Sequence, residues 1–80
     1  VSDISKPFGV FAYDNLIFVS DIGDYSVKIF DLDGNLVKQF GQHGDRYGEF
    51  KYPVYTITDG EKIIVSDARN YRIQIFNITQ

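Results

Sequence analysis

The chain has 80 residues and a formal net charge of −3; 44% are hydrophobic, 24% charged and 16% aromatic, with no Cys and one His. This balance excludes a charge-rich disordered segment, and the acidic total excludes the domain-wide basic excess that grips nucleic acid regardless of sequence. Disulfides and a Cys/His zinc site are excluded as staples, so so short a chain must draw stability from neighbouring protein. The lack of Cys fits a reducing compartment. There is no basic stretch leading into an apolar segment and no apolar run near the roughly 20 residues of a membrane span, so a cytoplasmic segment with no membrane contact is expected.

In chain order, Val10–Tyr13, Leu16–Val19, Val27–Phe30 and Leu36–Phe40 are short apolar or alternating runs of strand length. Breakers separate them: Asp14-Asn15, then Asp21-Ile22-Gly23-Asp24, then Asp33-Gly34-Asn35, where Asp-Gly signals a tight hairpin. This is a four-stranded antiparallel meander. The first two strands are nearly continuous apolar runs, as in strands covered on both faces, whereas Lys38 and Gln39 give the fourth an edge character. Tyr55–Thr58, Lys62–Val65 and Arg72–Phe76 then supply three strands of a second unit, whose outer strand is expected to be lacking before Gln80.

The two units are copies. Pro7 and Pro53 start segments that align without a gap at an offset of 46 residues: Ile17, Val19, Ser20, Asp21, Tyr25, Ile29 and Phe30 recur as Ile63, Val65, Ser66, Asp67, Tyr71, Ile75 and Phe76. Repeated four-stranded sheets of this length stack as blades of a β-propeller. The expected class is therefore all-β, with one repeat over residues 1–46 and a second, incomplete one over 47–80. The rival is a small seven-stranded sandwich or barrel, in which the register would be a coincidence.

Several chemistries find no pattern. Asp21 and Asp67, repeated at the end of a strand, read as structural carboxylates that accept backbone N–H groups or pair with Arg72, not as metal ligands. Asp31-Leu32-Asp33-Gly34-Asn35 has the wrong spacing for a calcium loop. Gly41, Gly44 and Gly48 open no helix and carry no Lys-Ser/Thr partner for phosphate. His43 has no Cys nucleophile or serine elbow to serve, so neither catalysis nor a cofactor is expected. Asn77-Ile78-Thr79 has the form of a glycosylation sequon, and a cytoplasmic protein would not use it.

In a meander blade, the loop between the second and third strands and the connector to the next blade emerge on one rim. That rim carries Arg46, Tyr47, Lys51, Tyr52 and Tyr55 from the connector side, and Arg69 and Asn70 from the other loop. Basic groups interleaved with aromatics suit single-stranded or loop RNA, because guanidinium groups pair with phosphate and rings stack on splayed bases. The other reading is that the tyrosines pack between blades and the basic groups are ordinary solvated charges.

Val65-Ser66-Asp67-Ala68-Arg69-Asn70-Tyr71-Arg72-Ile73-Gln74-Ile75-Phe76 resembles the NHL repeat signature, and Val19-Ser20-Asp21 with Tyr25 to Asp31 is a drifted form of it. Gly48-Glu49-Phe50-Lys51-Tyr52-Pro53 resembles the family's connector. Tyr25 and Tyr71 stand where the family usually has His, and Val54-Tyr55 departs from its Pro-x-Gly, which Pro7-Phe8-Gly9 keeps. The resemblance is strongest to the propellers of TRIM-NHL proteins of the LIN-41 type. It implies a usually six-bladed ring, completed by the remaining blades of the same propeller or by identical copies. It also implies mRNA binding in post-transcriptional regulation, with ubiquitin-ligase modules elsewhere. The alternative is a rim that holds a protein substrate or scaffold and no RNA.

Overall fold

A computed structural model describes residues 4–78. Thr79 lies outside them, and with it the end of the Asn77-Ile78-Thr79 triplet. Seven strands form: β1 Pro7–Tyr13, β2 Leu16–Asp21, β3 Ser26–Asp31, β4 Leu36–Phe40, β5 Pro53–Thr58, β6 Lys62–Asp67 and β7 Arg72–Asn77. They make two antiparallel meanders, a four-stranded sheet in the order β1-β2-β3-β4 and a three-stranded sheet in the order β5-β6-β7. These are blade 1 and blade 2.

Each expected strand is present, one to three residues longer at its ends in most cases. The turn chemistry differs. The two-residue hairpin loop with positive φ at both central residues is Asp14-Asn15 (50° and 62°), joining Tyr13 to its partner Leu16. At Asp31–Asn35 only Gly34 has positive φ, and the Gly34 N–H donates to the Asp31 carbonyl. The Asp31 carboxylate accepts the N–H groups of Asp33 and Asn35, which binds the longer turn from its first residue.

The core lies between the sheets. On β1, β2 and β3 the side chains of Phe11, Phe18, Val27 and Ile29 share one face, since Phe11 pairs with Phe18, and Phe18 with Ile29. They meet Ile63 and Val65 of β6 and Phe76 of β7, with Phe50 from the connector fully buried among them. Ser20 and Thr56 share a buried hydroxyl–hydroxyl bond of 2.8 Å across this seam, and the Tyr13 hydroxyl donates to the Asp59 carbonyl at 2.9 Å. At the inner strands the backbones nearly touch: a Cβ on Gly9 would lie 2.5 Å from the Val54 carbonyl oxygen.

The expectation that both inner strands are covered on both faces is corrected. β2 is covered, but β1 has only Gly9 buried, and Val10 is 67% exposed. β1 is the edge of its sheet, paired with β2 alone, so its outward side chains lack a flanking strand. β2 and β3 lie inside their own sheet, with paired strands on either side, and are the buried pair.

Candidate functional site

The β2–β3 turn, the connector 41–52, the β6–β7 turn and the first residues of β1 and β5 all emerge at one end of the blades, the connector rim. The β1–β2, β3–β4 and β5–β6 turns form the opposite hairpin rim.

Two buried aspartates build the connector rim. Asp21, at the end of β2, accepts the backbone N–H groups of Ser5, Lys6 and Gly23 and the Lys28 ammonium at 2.7–3.0 Å. Its counterpart Asp67 accepts the N–H groups of Lys51 and Tyr52 and the Asn70 side-chain amide. Each carboxylate thus ties the segment entering its blade to the end of the second strand. Burial works to raise the Asp21 pKa, but the Lys28 ammonium and three backbone donors outweigh it and hold the group at about 2. Lys28 is buried too; desolvation opposes its charge, and its bonds to Asp21 and Asp24 prevail and raise its pKa.

Asp67 does not pair with Arg72. The Arg72 guanidinium turns to the connector and donates to the carbonyls of Asp45, Arg46 and Glu49 at 2.8–3.0 Å. Gln74 beside it bonds the Gly48 N–H and the Glu49 carbonyl. The connector is thereby a fixed part of the rim.

On this frame the seven residues singled out from the sequence separate into two groups. Tyr52, Tyr55, Lys51 and Arg69 lie at the inner part of the rim, where Tyr55 and the two basic side chains are exposed and Tyr52 is half-buried. The Arg69 guanidinium sits over the Tyr52 ring at 5.0 Å. Tyr47, Asn70 and Arg46 serve the frame. The Tyr47 hydroxyl donates to the Ile75 carbonyl and its ring packs 5.0 Å from Phe76 on the outer flank. Asn70 bridges Asp67 and the Gly44 carbonyl, and the Arg46 backbone is held by Arg72 and Glu49 while its side chain is exposed.

One residue that sequence reasoning missed completes the inner group. Phe8, 51% exposed, meets the Tyr55 ring edge-on at 5.9 Å and the Tyr52 ring at 6.4 Å. The 46-residue register could have found it, because Phe8 occupies in blade 1 the place of Val54, directly beside Tyr55. Phe8, Tyr52, Tyr55 and Arg69 make one aromatic step with a cation at its edge, and Lys6 and Lys51 are exposed nearby on the chain. His43 stands apart, its ring tilted against that of Tyr25 with centroids 4.5 Å apart.

Charge is unevenly shared between the rims. The hairpin rim carries Asp14, Asp31, Asp33, Asp59 and Glu61 against Lys62. The connector rim sets Lys6, Lys28, Arg46, Lys51, Arg69 and Arg72 against Asp21, Asp24, Asp45, Glu49 and Asp67, with Asp21, Asp67 and Lys28 buried. On the outer flank, a mostly apolar cleft of about 210 Å³ lies between β4 and β7, lined by Lys38, Phe40, Gly48, Ile63, Phe76 and Asn77. No helix among the described residues is long and apolar enough to cross a membrane.

No family model matches the chain. It is similar to the human E3 ubiquitin-protein ligase NHLRC1, 41% identical over 56 residues that make up 69% of this chain and 14% of that protein. It is also similar to Protein brain tumor of Drosophila melanogaster, 34% identical over 77 residues, 91% of this chain and 7% of that protein. The chain therefore spans a small part of either relative. Two successive meanders in one register, each clamped by a repeated aspartate and each bearing the Ser-Asp strand end before an Ile-Phe strand, agree with these similarities: the chain belongs to the NHL-repeat family, as two consecutive blades of its β-propeller.

Proposed function

We propose that the connector rim binds single-stranded RNA, as part of a platform that acts in post-transcriptional regulation in the cytoplasm and has no catalytic role. The observation that carries this reading is the step of exposed Phe8 and Tyr55 with half-buried Tyr52 beside Phe8 and Arg69 at its edge. Rings held rigidly at a surface stack on unpaired bases, and neighbouring cations pair with the phosphates between them. The location of the acidic groups supports it, because the excess negative charge sits on the hairpin rim and the connector rim does not repel a polyanion.

A second reading, a rim that holds a protein, is favoured by the ubiquitin-ligase name of the human relative. Fluorescence anisotropy with a short single-stranded RNA at two salt concentrations separates the two. Under the RNA reading the chain binds, more weakly at the higher salt. Tyr55→Ala with Arg69→Ala then lowers affinity by about ten- to a hundredfold, the loss of a stacked base and a phosphate contact. Tyr47→Ala, on the outer flank, leaves RNA affinity unchanged once folding is confirmed. No binding at low salt, or an unaffected double variant, overturns the RNA reading and leaves a protein ligand.

A further inference from the structure

Two Asp-Gly pairs stand on the hairpin rim, Asp33-Gly34 in the β3–β4 turn and Asp59-Gly60 in the β5–β6 turn. Both aspartates are exposed, and both glycines have positive φ, 88° and 96°. In such a pair the glycine amide can attack the side chain before it, because no Cβ hinders the approach. The fold treats the two pairs differently.

The Asp59 carboxylate is occupied. Its Oδ1 accepts the N–H groups of Lys62 and Glu61, both at 2.9 Å, which fixes it on the two residues beyond Gly60. These donors, Lys62 foremost, hold its pKa below the ordinary carboxylate value and keep it ionised, the form a nitrogen attacks least. The Gly60 N–H donates to the Thr58 hydroxyl at 3.0 Å, and Tyr13 of blade 1 lies against Gly60 while its hydroxyl donates to the Asp59 carbonyl. Asp33 has no such restraint. The donors of its turn, the N–H groups of Asp33 and Asn35 and the Asn35 side-chain amide, all go to the Asp31 carboxylate; among the described residues no donor is bonded to the Asp33 carboxylate. The Gly34 N–H makes one bond of 3.1 Å, to the Asp31 carbonyl. That bond closes the tip of an outer hairpin whose β4 is an edge strand and whose residues Leu32, Asp33, Asn35, Leu36 and Val37 are exposed, so the tip opens locally at small cost.

We propose that Asp33 is a site of spontaneous isoaspartate formation, and that the fold protects Asp59 from the same reaction. The Gly34 nitrogen bonds to the carboxyl carbon of protonated Asp33; the amide proton leaves with the carboxyl OH as water, and a cyclic succinimide results. Water then opens the ring. Addition at the side-chain carbonyl restores Asp33, whereas addition at the main-chain carbonyl leaves the chain running through the former side chain and frees an α-carboxylate. The overall mass is unchanged. The isomer adds a methylene to the backbone between residues 33 and 34, so the N–H groups of Asp33 and Asn35 no longer converge on the Asp31 carboxylate as they do in the native turn. The exposed isomer is then a substrate for a carboxyl methyltransferase that esterifies isoaspartate with S-adenosylmethionine.

The test ages the folded protein at neutral pH and body temperature, digests it and locates isoaspartate by electron-transfer fragmentation, while a parallel sample ages in urea. Methyl transfer from S-adenosylmethionine by a purified isoaspartyl methyltransferase gives a second readout, and circular dichroism confirms β-structure in the parent and the variant. In urea the two Asp-Gly pairs convert alike, because their local sequences have equal access to the reaction. In the folded protein isoaspartate accumulates at residue 33 severalfold faster than at residue 59. Asp33→Glu, whose larger ring forms far more slowly, removes most of the methyl acceptance. Equal conversion at the two sites in the folded protein overturns the proposal. So does a folded protein that stays free of isoaspartate while the urea sample converts, or an Asp33→Glu protein that accepts methyl groups as the parent does.

Discussion

Asp21 and Asp67 each gather backbone donors from a segment about fifteen residues earlier in the chain, and the Asp21 carboxylate stabilises its blade most while ionised. For Asp21 the sign follows from its depressed pKa. Its stabilisation, about 2 kcal/mol for a fall from 3.8 to about 2, is complete above 3.8 and is lost as pH drops through the folded value. Lys28 has a raised pKa, so its contribution is complete below its ordinary value and is lost only as pH rises through the folded one. Urea unfolding between pH 5 and pH 2 is expected to show this acid loss in the parent and a flatter profile in Asp21→Asn. Equal slopes would remove the clamp from the account. The structural role of these aspartates was legible because a residue repeated at one register position performs one task in each blade. Of the two partners expected, backbone N–H groups are found and Arg72 is not. Arg72 lies directly opposite Asp67 on the neighbouring strand, yet three connector carbonyls in reach of one planar guanidinium claimed it, and those carbonyls converge only once the chain is folded.

Strands and their order could be read from apolar runs and breakers, because period-two alternation and turn residues are local signals. What covers a strand is not local. β1 reads as apolar as β2 but is exposed where blade 2 does not reach. The site shows the same divide: Tyr52, Tyr55 and Arg69 were found from their loops, while Phe8 belongs to the other blade and joins them only through the seam. That seam depends on Gly9. Gly9→Ala drives a Cβ toward the Val54 carbonyl, with an expected cost of about 1–3 kcal/mol, read as a lower urea midpoint. Because Phe8 and Tyr55 flank the seam, the same variant should also weaken RNA binding. A Gly9→Ala chain of parental stability would show that the blades can part there freely.

At the scale of the molecule, the net charge pointed away from nucleic acid, and the fold changes its meaning by sending the acidic turns to one rim and the aromatic step to the other. A single total cannot report a polarity that arises only when alternate turns of a meander emerge at opposite ends. The most direct measurement of the rim's role is ultraviolet crosslinking of a short single-stranded RNA to the chain, with the attached residue identified by mass spectrometry. Attachment at Phe8, Tyr52 or Tyr55 is the predicted result. Attachment confined to the hairpin rim, or none under conditions where the protein is folded, would contradict it.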